Sequence, residues 1–163
     1  MPNSTTATIA LIAVIAALSA IAIAAPTPSI DHITPTCGSV LGGTYVTISG
    51  KHFADIPSGN VVFIGDDKNG RLCTVVNHLS SHTKIVCETE SIGGEGVFAV
   101  TVASDGAAAN CKNDNCDFSY SDSCTPEITE VVPKWVKAPG KVSVYGRKFA
   151  QGDASVQKLD FSM

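Results

Sequence analysis

The chain has 163 residues, with 15 acidic and 11 basic side chains and a net charge of −4. A mildly acidic chain without clustered Lys and Arg cannot make the phosphate contacts that nucleic acids and anionic lipid surfaces require, so both are excluded as partners. The length allows one domain of ordinary size and a fragment.

The first element is a run of small and aliphatic residues, Ala7 to Ala25, without charge. Small residues at Ala22 and Ala24 suit cleavage after Ala24, which makes residues 1–24 a signal peptide. The stretch before the run has no Lys or Arg, and the run approaches the ~20 residues that span a bilayer, so a retained signal anchor is the alternative. Either reading puts residues 26–163 outside the cytosol.

Strands are expected throughout the remainder. Tyr45 to Ser49 alternates, with Val46 and Ile48 on one face. Short apolar or β-branched runs follow at 61–65, 73–76 and 84–87. Residues 97–102 put Phe98, Val100 and Val102 on one face, and 117–120 pair Phe118 with Tyr120. Turn residues separate these runs: Gly42-Gly43, Pro57-Ser58-Gly59, Asn69-Gly70, Gly93-Gly94 and Asp105-Gly106. Asn-Gly between two apolar runs is a strong hairpin signal, because both central residues of the turn need positive φ. No helical period is convincing after Pro26, so the fold class is all-β, with short strands spaced as in a β-sandwich.

Residues 28–53 return in looser form near the end. Pro28, Ile30, Ile33 and Pro35 align with Pro126, Ile128, Val131 and Pro133. After a two-residue deletion, Val46, Ile48, Gly50 and Phe53 align with Val142, Val144, Gly146 and Phe149. The period is about 97 residues, which suits tandem β-sandwich domains of ~100 residues.

The order of Pro28, Ile30, Ile33 and Pro35, then Gly42-Gly43-Thr44, Val46-Thr47-Ile48, Gly50 and Phe53 resembles the IPT/TIG family. The resemblance continues through Val62-Phe63, Gly65, Cys73, Ile85, Cys87, Val100, Val102, Phe118 and Tyr120. It implies an immunoglobulin-like β-sandwich of the kind found in plexins, Met-type receptors and fibrocystin-like ectodomains. On this reading residues 25–122 are one IPT/TIG domain and 123–163 a partial second copy. Gly42-Gly43 makes a tight turn, Gly50 turns the chain at the end of a strand, and Phe53 folds back into the core.

Six cysteines, Cys37, Cys73, Cys87, Cys111, Cys116 and Cys124, follow the export segment and read as a disulfide set. Cys111 and Cys116 flank a polar turn, which suits a local bridge. The resemblance implies a Cys73–Cys87 bridge. It also places the ends of the first and last strands at one pole, which leaves Cys37 to pair with Cys124.

No catalytic or cofactor site is expected. Cys111, Cys116, His78 and His82 touch the spacing range of zinc sites, but the histidines precede the cysteines and an oxidising route favours disulfides. Asp114, Asp117 and Asp122, or Asp66-Asp67, lack the spacing of a calcium loop. G-x-S-x-G is absent. Asp31 and His32 face solvent on the first strand, and Glu88 and Glu90 read as a solvated strand edge.

The expected function is a non-enzymatic binding or adhesion module of a secreted or cell-surface receptor-like protein. Its partners are a protein ligand or neighbouring IPT/TIG domains, with carbohydrate as a further candidate, and membrane contact comes only through the N-terminal segment or a further anchor. Candidate contact loops are 52–59, 65–71 (with Asp66 and Asp67) and 91–96. Trp135, the one tryptophan, is either a contact anchor or a cover for the junction between modules, and the junction is favoured. The alternative is an accessory domain of an extracellular carbohydrate-active enzyme, although no row of sugar-stacking aromatics is evident. The DNA-binding form of the fold in Rel-like factors is opposed by the acidity, the signal and the cysteines. The second copy reads as truncated, so residues 126–163 are expected to be mobile or to pair with strands of another molecule.

Overall fold

The computed structural model describes residues 26–65, 70–112 and 114–149, and the backbone of 157–162. Residues 1–25, which hold the expected export segment, and residues 66–69, 113, 150–156 and 163 lie outside the described residues.

The alternating runs form strands where expected. In β3 (Tyr45–Lys51) Val46 and Ile48 are fully buried while Tyr45 is exposed. β3 pairs antiparallel with β1 (Ser29–Thr34) on one side and with β6 (Lys84–Thr89) on the other. β4 (Asn60–Ile64) lies between β5 (Arg71–Val75) and β7 (Gly96–Ser104), and β7 also pairs with β10 (Asp117–Tyr120). The hairpin signalled by Asn69-Gly70 joins β4 to β5 with Ile64 opposite Arg71, and its turn residues 66–69 lie outside the described residues.

The two layers of the sandwich are not separate sheets. β5 pairs with β4 and also with β6, so one hydrogen-bonded path runs from layer to layer. Ile30, Ile33, Val46, Ile48 and Ile85 of one layer share a single core with Val62, Ile64, Val100, Val102 and Phe118 of the other. Tyr120 packs edge-on against Phe118 and Phe98, with ring centroids 5.0 and 5.9 Å apart.

Away from β5 the chain itself closes the sandwich. The first strand is interrupted at Pro35 and resumes as β2 (Cys37–Gly38), which pairs parallel with β10. β1 therefore belongs to one layer and β2 to the other. In the opposite direction, β7 continues into β8 (Ala107–Ala108), which folds back on it, and then β9 (Asn110–Cys111), which pairs parallel with β1. The outer edges of β1 and β10 are thus occupied, which removes the open strand edges that favour aggregation.

Gly42 and Gly43 have φ of 80° and 76°, as a tight turn requires. Gly50 has a different role from the one expected. It lies inside β3 opposite Ile30, and a Cβ there would collide with the Ser29 carbonyl oxygen and the Phe53 ring. The chain turns two residues later, at His52, with φ of 60°. Gly50 is therefore required by close approach of backbone and ring. Phe53 is buried, as expected.

Residues 28, 53, 59, 82, 105 and 110 gather at one pole. There the Phe53 N–H donates to the His82 carbonyl, Asp105 N–H to Gly59, and Asn110 N–H to Pro28. The opposite pole holds the turn at Gly42, residues 90–95 and the segment after β10: Gly43 N–H donates to Thr89 and Tyr120 O–H to the Glu90 carbonyl. The chain enters at the first pole and leaves at the second.

A second sheet follows, with β11 (Glu127–Val132), β12 (Lys141–Arg147) and β13 (Gln157–Ser162) in that order. Its pairing reproduces that of β1 and β3. Ile128 lies opposite Gly146 and Val131 opposite Val144, as Ile30 lies opposite Gly50 and Ile33 opposite Ile48. The register shifts at the same place in both, between Ile30 and His32 and between Ile128 and Glu130. Burial differs sharply: Ile30 and Ile33 are 1% and 4% exposed, and Ile128 and Val131 are 64% and 37% exposed.

Candidate functional site

All six cysteines are joined in the three expected pairs. Cys73 and Cys87 sit on adjacent inward faces of β5 and β6, both buried, with Cα atoms 5.3 Å apart. Cys111 lies on β9 against β1, while the Cys116 carbonyl accepts from Val100 N–H of β7. A bridge only five residues long in sequence therefore spans the seam between the two layers. Cys37 of β2 holds Cys124, just beyond β10, across a separation of 87 residues. With Cys111 and Cys116 bonded to each other, the zinc set is ruled out. Among the described residues no group of three or more His, Cys, Asp or Glu could hold a metal ion.

The segment leaving the first domain is held from several sides. Residues Asp122–Cys124 form a 3-10 turn, and the Ser121 hydroxyl accepts from Ser123 N–H at 3.1 Å. Glu95, from the loop before β7, reaches across with one carboxylate oxygen. That oxygen accepts from the Ser121 hydroxyl at 2.7 Å and from Asp122 N–H at 2.8 Å. Thr125 donates to the Ser121 carbonyl, and its hydroxyl accepts from Val40 N–H. From the second sheet, the Lys148 ammonium donates to the Asp122 carbonyl at 2.7 Å.

The hydrogen bond from Ser121, then that from the Asp122 backbone, holds the Glu95 carboxyl below its ordinary range. A lowered carboxylate contributes its stability above its unfolded value and loses it as pH falls through the folded one. On acidification below the ordinary glutamate range the linker turn should therefore loosen. The Asp122 amide resonance should titrate in that window, and Glu95→Gln should remove the titration. An amide that titrates identically in the variant would contradict the assignment.

Beside Glu95 a shallow cleft of about 240 Å³ is lined by Arg71, Ile92, Gly93, Gly94, Glu95 and Phe98. Its size is below the ~300–1,000 Å³ typical of small-molecule sites. The cleft brings together two of the three candidate loops, 65–71 and 91–96. The third, 52–59, lies at the other pole. Asp66 and Asp67 lie outside the described residues. Trp135 is 84% exposed and covers no junction among the described residues, because it sits on the open turn between β11 and β12. The Asp31 carboxylate, on the solvent side of β1, pairs with Lys112 at 2.7 Å and ties β1 to the segment after β9.

Two features were missed in the sequence. One is Glu95, whose partners lie 26 and 27 residues away and leave no local pattern. The other is the outer face of β4, β5 and β7, where Val61, Phe63, Leu72 and Val97 are 40–68% exposed. That signal was present, since the runs at 61–65 and 97–102 carry apolar residues on both faces.

The IPT/TIG domain family model matches residues 28–120. Fibrocystin-L of Mus musculus is 35% identical over 122 residues, covering 75% of this chain and 3% of its own length. Fibrocystin-L of Homo sapiens is 38% identical over 119 residues, covering 73% and 3%. The chain thus spans a small part of the curated relatives it matches. Among solved structures, the extracellular region of plexin A4 superposes with a TM-score of 0.48 at 22% identity, covering 78% of this chain and 13% of that one. With the sandwich, its disulfides and the match across residues 28–120 in place, the chain belongs to the IPT/TIG domain family.

Proposed function

We propose that the chain is a non-enzymatic extracellular binding or adhesion module, part of a secreted or cell-surface receptor-like protein built from tandem IPT/TIG domains. The observation that carries this reading is the arrangement of the termini. The chain enters the first domain at one pole and leaves at the other, and Cys37–Cys124 and Glu95 fasten the exit. Such a module sets a fixed spacing between its neighbours and presents its faces and pole loops to a protein partner. Residues 1–24 act as the export segment and 25–122 form the first domain.

Residues 123–163 form the opening strands of a second domain. The support is the shared register of β1–β3 and β11–β12 and the apolar face, with Ile128 and Val131, that the first domain's equivalents bury. A three-stranded sheet without an opposing layer among the described residues opens locally at low cost. Trypsin under native conditions should therefore cut first at Lys134, Lys137, Lys141, Arg147 or Lys148, leaving the first domain intact. Equal protection of both halves would contradict this.

Expression of the full chain in a eukaryotic host tests the functional reading. The protein should be recovered from the medium or the cell surface, and beads coated with it should retain cells better than beads coated with reduced, alkylated protein. Retention in the cytosol, or equal retention of cells by both kinds of bead, would overturn the proposal.

A further inference from the structure

The three bridges differ in how far a thiol can reach them. Cys73 and Cys87 are both buried in the core, and Cys37 and Cys124 are half-buried. Cys111 is exposed on β9, while its partner Cys116 is buried. Little else holds β9 in place. It is two residues long and pairs with β1 at Ser29–Asn110 and Ile30–Cys111. Around it, Ala109 N–H donates to the Val102 carbonyl of β7, Asn110 N–H to Pro28 and Lys112 N–H to Ile30. The ion pair of Lys112 with Asp31 is exposed at both ends, where such pairs contribute little. The Cys111–Cys116 bridge is thus the clip that keeps β9 against the outer edge of β1.

We propose that this bridge is a reductively cleavable clip: a dithiol opens it at Cys111 and leaves the other two bridges intact. A thiolate of the dithiol attacks the Cys111 sulfur. The bond to Cys116 breaks, and Cys116 leaves as a thiolate that takes a proton from solvent. The second thiol of the dithiol, as its thiolate, then attacks the reductant sulfur of the mixed disulfide. Cys111 leaves as a thiolate and is protonated in turn. The reductant closes to a disulfide, and its two electrons end on the two cysteine thiols. Attack comes at Cys111 because the core shields Cys116.

The other bridges resist for separate reasons. Cys73 and Cys87 are shielded, and the pairing of β5 with β6 keeps their sulfurs side by side. Cys37 and Cys124 are held together by the pairing of β2 with β10 and by the contacts of Glu95 and Thr125 on the exit turn. The Cys111–Cys116 bridge also closes the shortest of the three loops, so the fold loses least when it opens. Cys116 stays anchored, because its carbonyl accepts from Val100 N–H. Cys111 remains five residues from it, so oxidation restores the clip. What changes is the entry pole: β9 leaves β1, and the Pro28 and Ile30 carbonyls lose their partners. The exit stays fastened by Cys37–Cys124. A spacer rigid at both ends becomes one that hinges at its entry, whatever partner the module takes.

Stepwise reduction of the oxidised full chain by dithiothreitol tests it. Samples are quenched in acid, and free thiols are alkylated after unfolding and mapped by mass spectrometry. Cys111 and Cys116 should be labelled together at roughly a tenth of the dithiothreitol concentration that labels either other pair. At that concentration the Asn110 and Lys112 amides should exchange hydrogen roughly tenfold faster, while the Gly50 amide, which donates to Thr83, keeps its rate. The double variant Cys111→Ala, Cys116→Ala should show the fast exchange without reductant. Earlier labelling of another pair, or simultaneous labelling of all six cysteines, would overturn the proposal. So would Asn110 and Lys112 amides that stay protected once the bridge is reduced.

Discussion

Replacing Cys37 and Cys124 together by alanine should lower the stability of the first domain by about 4–5 kcal/mol. The bridge closes a separation of 87 residues, and on the chain-entropy argument a loop of that length removes the most freedom from the unfolded chain. For a domain of this size the loss corresponds to a fall of roughly 20–35 °C in Tm. The same substitution at Cys111 and Cys116, separated by five residues, should cost only about 2 kcal/mol. Cys73 and Cys87 close 14 residues, worth about 3 kcal/mol, and their burial adds the packing of two sulfurs. Thermal unfolding followed by circular dichroism checks the ordering. Equal losses for the longest and shortest loops would show that the bridges do not act mainly on the unfolded chain.

The second large effect is expected from Gly50→Ala. The new methyl would meet the Ser29 carbonyl oxygen and the Phe53 ring. Backbone cannot swing aside as a flexible side chain can. Either β1 separates from β3 at the pair Ile30–Gly50 or Phe53 leaves the core. Overpacking alone costs ~1–3 kcal/mol, and the damaged β1–β3 ladder places this variant at about 3 kcal/mol or more. Gly146 offers an internal comparison, because a methyl there would meet the Glu127 carbonyl oxygen and the Phe149 ring. Gly146→Ala should perturb only the second sheet and leave the main unfolding transition of the first domain within about 1 °C. A first domain insensitive to Gly50→Ala would remove the close-approach explanation.

These two experiments mark what was legible in the sequence and what was not. Alternation identified β3, β7 and β10, because a half-buried strand must place every second side chain inward. The sequence alignment of Ile30 with Ile128 and Gly50 with Gly146 matches the pairing of β1 with β3 and of β11 with β12. The division of the first strand into β1 and β2 was not legible, since a change of pairing partner leaves the side-chain period intact. β8 and β9, two residues each, are too short to carry a period. β5 begins at Arg71, two residues before the expected run, because Arg71 lines the cleft and Leu72 is half-exposed, so neither belongs to the buried alternation that marks the run. Gly50 was recognised as necessary for a reason of the wrong kind, since a glycine in sequence does not distinguish positive φ from a close neighbour.

The candidate site divides in the same way. Cys37–Cys124 followed from the family's strand order, Cys73–Cys87 from the resemblance itself, and Cys111–Cys116 from the polar turn between them. Glu95 did not, because its role depends on a loop and a linker brought together only by the closed fold. Trp135 drew notice by its rarity, yet rarity says nothing about burial, and its ring stands open to solvent. The outer face of β4, β5 and β7 was not legible because a continuous apolar run such as 61–65 does not say which of its residues point outward.

Peptide mapping of the exported, unreduced chain by mass spectrometry tests the central claim most directly, that three sulfur bridges close this sandwich along its seam and at its exit. The expected result is no free thiol and three linked peptide pairs, Cys37 with Cys124, Cys73 with Cys87 and Cys111 with Cys116. Free thiols in the native protein, or any other pairing, would contradict it.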